Sequence, residues 1–270
     1  MHHVVQEGLF NEFGFTKLMH ALADENVPHT LVKVVPFAHS IEPDLDFDGP
    51  VFVWGAITLC HIAQAKGWKP GRFTGPNFDM RVLNERYGDR MLNADAQFCE
   101  FKDLKFEGTK FVRPVHDSKA FTGEVLHGEE IEAWKEKVLP LSNDGFVSLQ
   151  PDTPVMFASP KGIEMEARFF VVAGEVITGS TYRTLGRQCM YQVVDSTNPL
   201  FAHLYEFAVE VADFWGPDVG YALDICQSEG ELKVVEINCM NSAGFYACDM
   251  RAVVKAIESL NEFFVRKKGL

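Results

Sequence analysis

The chain has 270 residues, 47% of them apolar, with 38 acidic side chains against 25 basic ones and a formal net charge of −13. That length supports two packed lobes or one large α/β domain with a sizeable core, and the acidic balance argues against nonspecific nucleic-acid binding, which depends on neutralising phosphates. Six cysteines without CxxC spacing fit reduced thiols in a cytoplasm rather than a disulfide framework or a zinc ribbon, no apolar signal segment opens the chain, and no apolar run reaches the roughly 18 residues of a membrane span.

From Val4 to Phe73 the pattern reads strand, helix, strand, strand, helix. Phe15, Leu18, Met19 and Leu22 recur at helical spacing within Phe15–Glu25, Thr30–Val35 is short and β-branched, and Pro50–Trp54 is a continuous apolar run ending at Gly55. Ile57–Lys66 is the next helix, stopped by Gly67 and Pro70. Alternation of this kind predicts a parallel sheet with crossover helices. His2 and His3 receive no functional weight, and Arg81, Arg86 and Arg90 around Tyr87 are read as the solvated face of a helix.

From Lys105 the texture shifts to closely spaced strands: Lys110–Val115, Phe121–Leu126, Val155–Ala158, Glu164–Val172, Glu175–Tyr182, Gly220–Cys226 and Leu232–Asn238. Strands at this density with charged turns predict a mainly antiparallel sheet. Phe201–Trp215 and Asp249–Val265 read as amphipathic helices. The change near Asp103 divides the chain into residues 1–103 and 104–270.

Three stretches carry chemistry. In GYALDICQSEGELKVVEINCMNSAGFY, Asp224 lies on one strand, Gly230 marks a turn, and the following strand delivers Glu236 and Asn238 to one face. These are hard oxygen ligands of the kind that suit magnesium shared with substrate phosphates. In IEMEARFFVVAGEVITGSTYR, a hairpin turned at Ala173-Gly174, Glu164, Glu166 and Arg168 share a strand face, and Ser180, Tyr182 and Arg183 leave the second strand together. That set is either a cross-strand salt bridge or a polar wall whose arginines hold phosphate or carboxylate oxygens. In FVRPVHDSKAFTGEVL, a strand ends in Arg113-Pro114 and a charged loop closes at Gly123. His116 in that loop is read as solvated, and Cys239 carries no mark of a nucleophile. The chain has no GxxxxGK[ST], so a P-loop is excluded, and Gly55, Gly67 and Gly71 do not make GxGxxG.

In this order the three stretches resemble the ATP-grasp enzymes, and Arg-Pro followed by a loop lysine is similar to a variant clade common in bacteriophages and bacteria, with Arg113 where relatives carry lysine. The resemblance implies an ATP-grasp fold of the α+β and α/β classes. An N-terminal α/β, Rossmann-like domain would precede a mainly antiparallel ATP-binding part with its hinge near residues 155–160. It further implies that Arg113 and Lys119 contact the phosphates of ATP, with Met156, Phe157 and Ala158 at the adenine and Glu166 in the nucleotide site. Arg168 and Arg183 would steady the transferring group, and Asp224, Glu236 and Asn238 would bind Mg2+. Tyr182, Arg183 and Asn241 would border the acceptor. The implied activity is carboxylate–amine ligation through an acyl-phosphate, on a small-molecule, amino-acid or peptide substrate, with no membrane or nucleic-acid partner. The implied compartment is the cytoplasm, a host's if the gene is a phage's. A small-molecule kinase and a catalytically inactive nucleotide-binding protein are the alternatives.

Overall fold

The computed structural model describes residues 1–8, 12–36, 38–116, 120–141 and 148–261. The first sheet contains β1 (His2–Gln6), β2 (His29–Val35), β3 (Ser40–Glu42), β4 (Val51–Trp54) and β5 (Pro70–Gly71) in the order β3-β2-β1-β4-β5. All pairings are parallel except β2 with β3. The crossovers carry α1 (Glu12–Asp24) and α2 (Ile57–Ala65). Both faces are covered, which is why β4 is apolar without alternation. Val4, Val32, Val51 and Val53 pack with Leu59 and Ile62 of α2, whereas Val5, Phe52 and Trp54 pack on the opposite side with Leu18 and Leu22 of α1.

His3 is more than a leader residue. It is fully buried on β1, where the Trp54 indole N–H donates to its Nδ1 at 2.9 Å and its Nε2 faces Glu258 Oε1 at 2.9 Å. With Nδ1 accepting, the ring proton sits on Nε2 and points at the carboxylate. Burial lowers the imidazole pKa, against the pull of Glu258.

The second sheet follows α3 (Met80–Tyr87) and contains β6 (Gln97–Glu100), β7 (Thr109–Pro114), β8 (Glu124–His127) and, after α4 (Gly128–Val138), β9 (Pro154–Ala158). It is antiparallel in the order β6-β9-β7-β8. Its own small core joins Val112, Val155 and Phe157 to Ile131 of α4. Glu130 caps that helix by accepting the His127 N–H at 2.5 Å. The strand expected at Phe121–Leu126 begins only at Glu124.

The third sheet holds the longest strands: β10 (Ile163–Val172), β11 (Glu175–Thr184), β12 (Arg187–Gln188), β13 (Val193–Val194), then α5 (Ala202–Phe214), β14 (Gly220–Ser228) and β15 (Glu231–Asn238). Its order is β12-β11-β10-β14-β15, with β13 also on β11 and every pairing antiparallel. The β10–β11 turn is Ala173-Gly174, both at positive φ (52° and 83°), as a two-residue hairpin with this twist demands. One face packs Phe169, Val171 and Leu223 on α5. The other packs Phe170, Val172 and Ala222 on α6 (Met250–Ser259) and reaches the α1 side of the first sheet through the same core. The continuation of the last helix to Val265 lies outside the described residues. Among the described residues, no helix is long and apolar enough to cross a membrane.

Candidate active site

The face of the third sheet that is apolar beneath α6 turns polar toward the far ends of its strands. Period-two alternation places Arg168 on the same side of β10 as Phe170 and Val172, and its ladder partner Asp224 on the same side of β14 as Ala222. Asp224 in turn lies opposite Glu236 on β15. The β-branched and aromatic residues between them bury the strands, so these ionic groups are held away from bulk water. Asp224 is 1% exposed and Glu166 4% exposed.

Each acid holds a guanidinium. Arg168 grips Asp224 with two parallel bonds, Nε to Oδ1 at 2.7 Å and Nη2 to Oδ2 at 2.6 Å, the fork geometry that gives Arg–carboxylate pairs their specificity. Glu166 accepts from the Tyr182 hydroxyl at 2.8 Å and from Arg183 Nη1 at 3.2 Å. Glu236 accepts from Arg113 Nη1 at 2.5 Å and from the Asn238 amide at 2.7 Å. Three carboxylates therefore face three arginines. Burial pushes Asp224 above the usual carboxylate range, opposed by Arg168. Burial also works against ionisation of Glu236, but Arg113 and the Asn238 bond outweigh it and hold the group below its ordinary value.

Aromatic rings complete the wall. Tyr182 and Tyr246 stack at 4.9 Å and 10°, and the Arg168 guanidinium sits 5.7 Å and 5.3 Å from their centroids. Tyr246 holds a φ of 48° to present its ring there. No sequence pattern singles out Tyr246; the available signal is an aromatic closing the small-residue run Ser242-Ala243-Gly244.

The cleft has two compartments of about 670 Å³ each, and Arg113, His116 and Glu236 line both. One lies between the second and third sheets, floored by Glu166, Arg168 and Asp224 and walled by Phe111, Gly123 and Lys161. Gly123 matters sterically: a Cβ there would stand 2.8 Å from the Phe111 ring. The other lies against the first sheet, between Ile57, His61 and Arg72 on one side and Asn238, Cys239 and Ser242 on the other.

The remaining anticipated residues lie as follows. Lys119 is outside the described residues, as are Asp117 and Ser118. Met156, Phe157 and Ala158 are buried in β9, which is flanked by strands on both sides; the chain just beyond, at Pro160 and Lys161, lines the compartment. Asp95 anchors this bend, accepting the Ser159 N–H at 2.9 Å and pairing with Lys161. Asn241 is fully buried, with its side chain bonded to Val53 O, Gly71 O and the Phe73 N–H. Arg81 pairs with Asp79, Arg86 lies over Trp215, and Arg90 meets Glu210 and the Phe214 ring. His116 is half exposed, 3.8 Å from Asp79. Cys239 has a polar setting that its sequence neighbours do not announce. The Cys60 thiol and the Asn241 and Ser242 N–H groups, with Arg72 nearby, hold it below the usual thiol range against the opposing effect of burial.

Among the described residues no three His, Cys, Asp or Glu side chains are grouped to hold a metal ion. The donors around Asp224 nonetheless fit a hard cation in kind: two carboxylates on adjacent strands and the Asn238 carbonyl two residues along. Their oxygens are occupied by Arg113, Arg168 and the Asn238 amide. A cation would enter by replacing those contacts while the arginines turned to an anion.

Two D-alanine–D-alanine ligase structures from Bacillus anthracis share this fold. One has a TM-score of 0.64 at 14% identity, and the other, complexed with ATP, 0.60 at 15%; each covers 100% of both chains. The ATP-grasp ligase PsnB, complexed with minimal precursor, has a TM-score of 0.51 at 14% identity over 90% of this chain and 91% of its own. No curated protein sequence matches the chain. A family model described as an ATP-grasp domain, family 3 of its clade, matches residues 54–257, a span that runs from the end of β4 into α6 and takes in all three arginine–carboxylate pairs. With most of its length inside that match and the ATP-grasp fold around it, the chain belongs to this ATP-grasp family.

Proposed function

We propose that the chain is an ATP- and magnesium-dependent carboxylate–amine ligase that acts on an amino-acid or peptide substrate through an acyl-phosphate. The observation that carries this reading is the set of three arginines and three carboxylates, with Arg113–Glu236 standing where the two compartments meet. A triphosphate in the compartment floored by Arg168 would offer its oxygens to Arg113, Arg168 and Arg183, and Lys119 would add a further cation from the loop. A substrate carboxylate in the other compartment would meet the γ-phosphorus at the junction. Its oxygen attacks that phosphorus, the bond to the bridging oxygen breaks, and ADP leaves. The amine nitrogen then attacks the acyl carbon, the acyl–oxygen bond breaks, and phosphate departs as the amine gives its proton to solvent.

The residues work by position and charge, the dominant needs of phosphoryl transfer. Asp224, Glu236 and Asn238 would hold magnesium, which offsets the phosphate charge when bound. Arg168 or Arg183 would stabilise the oxyanion of the tetrahedral intermediate, and the Tyr182–Tyr246 stack fixes the plane on which Arg168 lies. Residues 1–103 and 104–270 are read as the two domains, with the bend at residues 155–160 as the hinge that Asp95 steadies. The test is release of ADP and phosphate over a panel of amino acids, with Glu236→Gln as control. Turnover by that variant equal to the unsubstituted protein would refute the metal assignment, and a phosphorylated product without free phosphate would identify a kinase instead.

A further inference from the structure

The compartment against the first sheet has an unbalanced charge. Its apolar walls are Ile57, Phe78, Met80, Val115 and Ile237. Among its described ionic groups, Glu236 is paired with Arg113, and Asp79 is paired with Arg81 and faces His116. Arg72 makes no ion pair with a carboxylate among the described residues. Its Nη2 donates to the neutral Gln64 Oε1 at 2.9 Å, and the guanidinium also reaches the Cys60 thiol. Those two contacts leave most of its five donors to spare. A half-buried cation in an apolar-walled cavity, with donors in reserve, is a receptor for an anion.

The backbone beneath Arg72 is built to hold it. The Arg72 N–H closes a tight turn onto Pro70 O at 2.7 Å. Gly71 takes a φ of 64°, and a Cβ there would lie 2.7 Å from Trp68 O, so no other residue fits without displacement. Asn241 clamps the residues on either side: its Nδ2 donates to Gly71 O at 3.3 Å and its Oδ1 accepts the Phe73 N–H at 3.0 Å. Asn241 comes from the segment directly after β15, which carries Glu236. The guanidinium and the arginine–carboxylate junction are thus tied together through one buried amide.

We propose that Arg72 binds the free α-carboxylate of an amino-acid acceptor, and that Asn241 positions the turn that carries it. The inference rests on the ligase reading of the cleft. Carboxylate at Arg72 turns the acceptor's amine toward the junction at Arg113, where the acyl-phosphate forms, and selects a free amino acid over a side chain within a protein.

The test is equilibrium binding to the full chain in the presence of Mg2+ and a non-hydrolysable ATP analogue. The probes are the twenty L-amino acids and their α-methyl esters, read by titration calorimetry. At least one free acid should bind, and its ester should bind tenfold or more weakly. Arg72→Gln should erase that acid-over-ester preference, and Arg72→Lys should restore part of it. Asn241→Ser should reduce the same preference, a ratio that general destabilisation does not move. Binding of no free acid, equal binding of esters, or an unchanged preference in Arg72→Gln overturns the assignment while leaving the ATP site standing. Failure of the ATP analogue itself to bind would instead overturn the ligase reading.

Discussion

Opposite substitutions across the Arg113–Glu236 pair should move ATP affinity in opposite directions. Arg113 and Glu236 are 18% and 23% exposed and joined at 2.5 Å. Removing one member of a fully buried pair costs about 3–5 kcal/mol through the charge left behind, and this partly wetted pair should lose about 2–3 kcal/mol in Arg113→Gln. The double variant Arg113→Gln/Glu236→Gln strands neither charge, so it should recover most of that loss and give a coupling of about 2 kcal/mol in a urea-unfolding cycle. For ATP without magnesium, Arg113→Gln loses a charge-assisted contact worth about 1.5–3 kcal/mol and should bind roughly 10- to 150-fold more weakly. Glu236→Gln removes a competitor for the same guanidinium. One unit charge at about 4 Å and an effective dielectric of 20 sets a ceiling of about 4 kcal/mol, and screening cuts this to about 1–2, so magnesium-free ATP should bind roughly 5- to 30-fold more tightly. Magnesium should strengthen ATP binding to the unsubstituted protein and lose much of that effect in Glu236→Gln. If both variants shift affinity the same way, or the cycle is additive within about 0.5 kcal/mol, the exchange of partners at this pair is wrong.

Asn241→Ala should destabilise the protein by about 3 kcal/mol in chemical unfolding, because it strands the Val53 and Gly71 carbonyls and the Phe73 N–H in a fully buried place, and a loss below 1 kcal/mol would contradict that account. Asp95 is held down to about 2 by its bonds to Lys161 and Ser159, against burial. A depressed carboxylate adds stability above its unfolded pKa near 3.9 that vanishes as pH falls through the folded value, so Asp95→Asn should cost about 1 kcal/mol at pH 7 after allowance for its exposure and nothing near pH 2. Cys239 should react with iodoacetamide at pH 7 ahead of Cys60, Cys226 and Cys248, whose thiols are pushed up, as peptide mapping by mass spectrometry would reveal; equal labelling would refute its lowered pKa.

What is legible in the sequence is local. Alternation and a positive-φ turn place Arg168 and Asp224 on strands without knowledge of the fold, because period two and Ala173-Gly174 act within a few residues. The parallel first sheet is legible for the same reason. The helix α4 is not among the expected elements, although Ile131, Trp134 and Val138 follow helical spacing and Glu129 and Glu130 favour its first turn; the dense strands around it draw the segment into an all-strand reading. Nor does anything adjacent to His3 announce its role, since its partner Glu258 is 255 residues away. Asn241 is expected at the acceptor because small residues follow it. Its amide is instead spent on the backbone of the first sheet, a use visible only once β4 and the turn at Gly71 are beside it.

Partnership, rather than position, is where the sequence runs out, and the cleft depends on partnership. Arg168 meets Asp224 across 56 residues and Arg113 meets Glu236 across 123. Each pair satisfies charges that would be costly to bury alone, so the cleft keeps its shape while its arginines and carboxylates remain matched. The matching also sets how a nucleotide can enter. A triphosphate brings negative charge that competes with Asp224, Glu236 and Glu166 for their arginines, and the acids released from those arginines need a cation of their own. ATP and a divalent ion should therefore bind with positive coupling, each relieving the charge the other exposes. Among the described ionic groups of the second compartment, Arg72 stands apart from this exchange because it has no acid to give up, which makes it the group free to select a substrate before the nucleotide rearranges the rest.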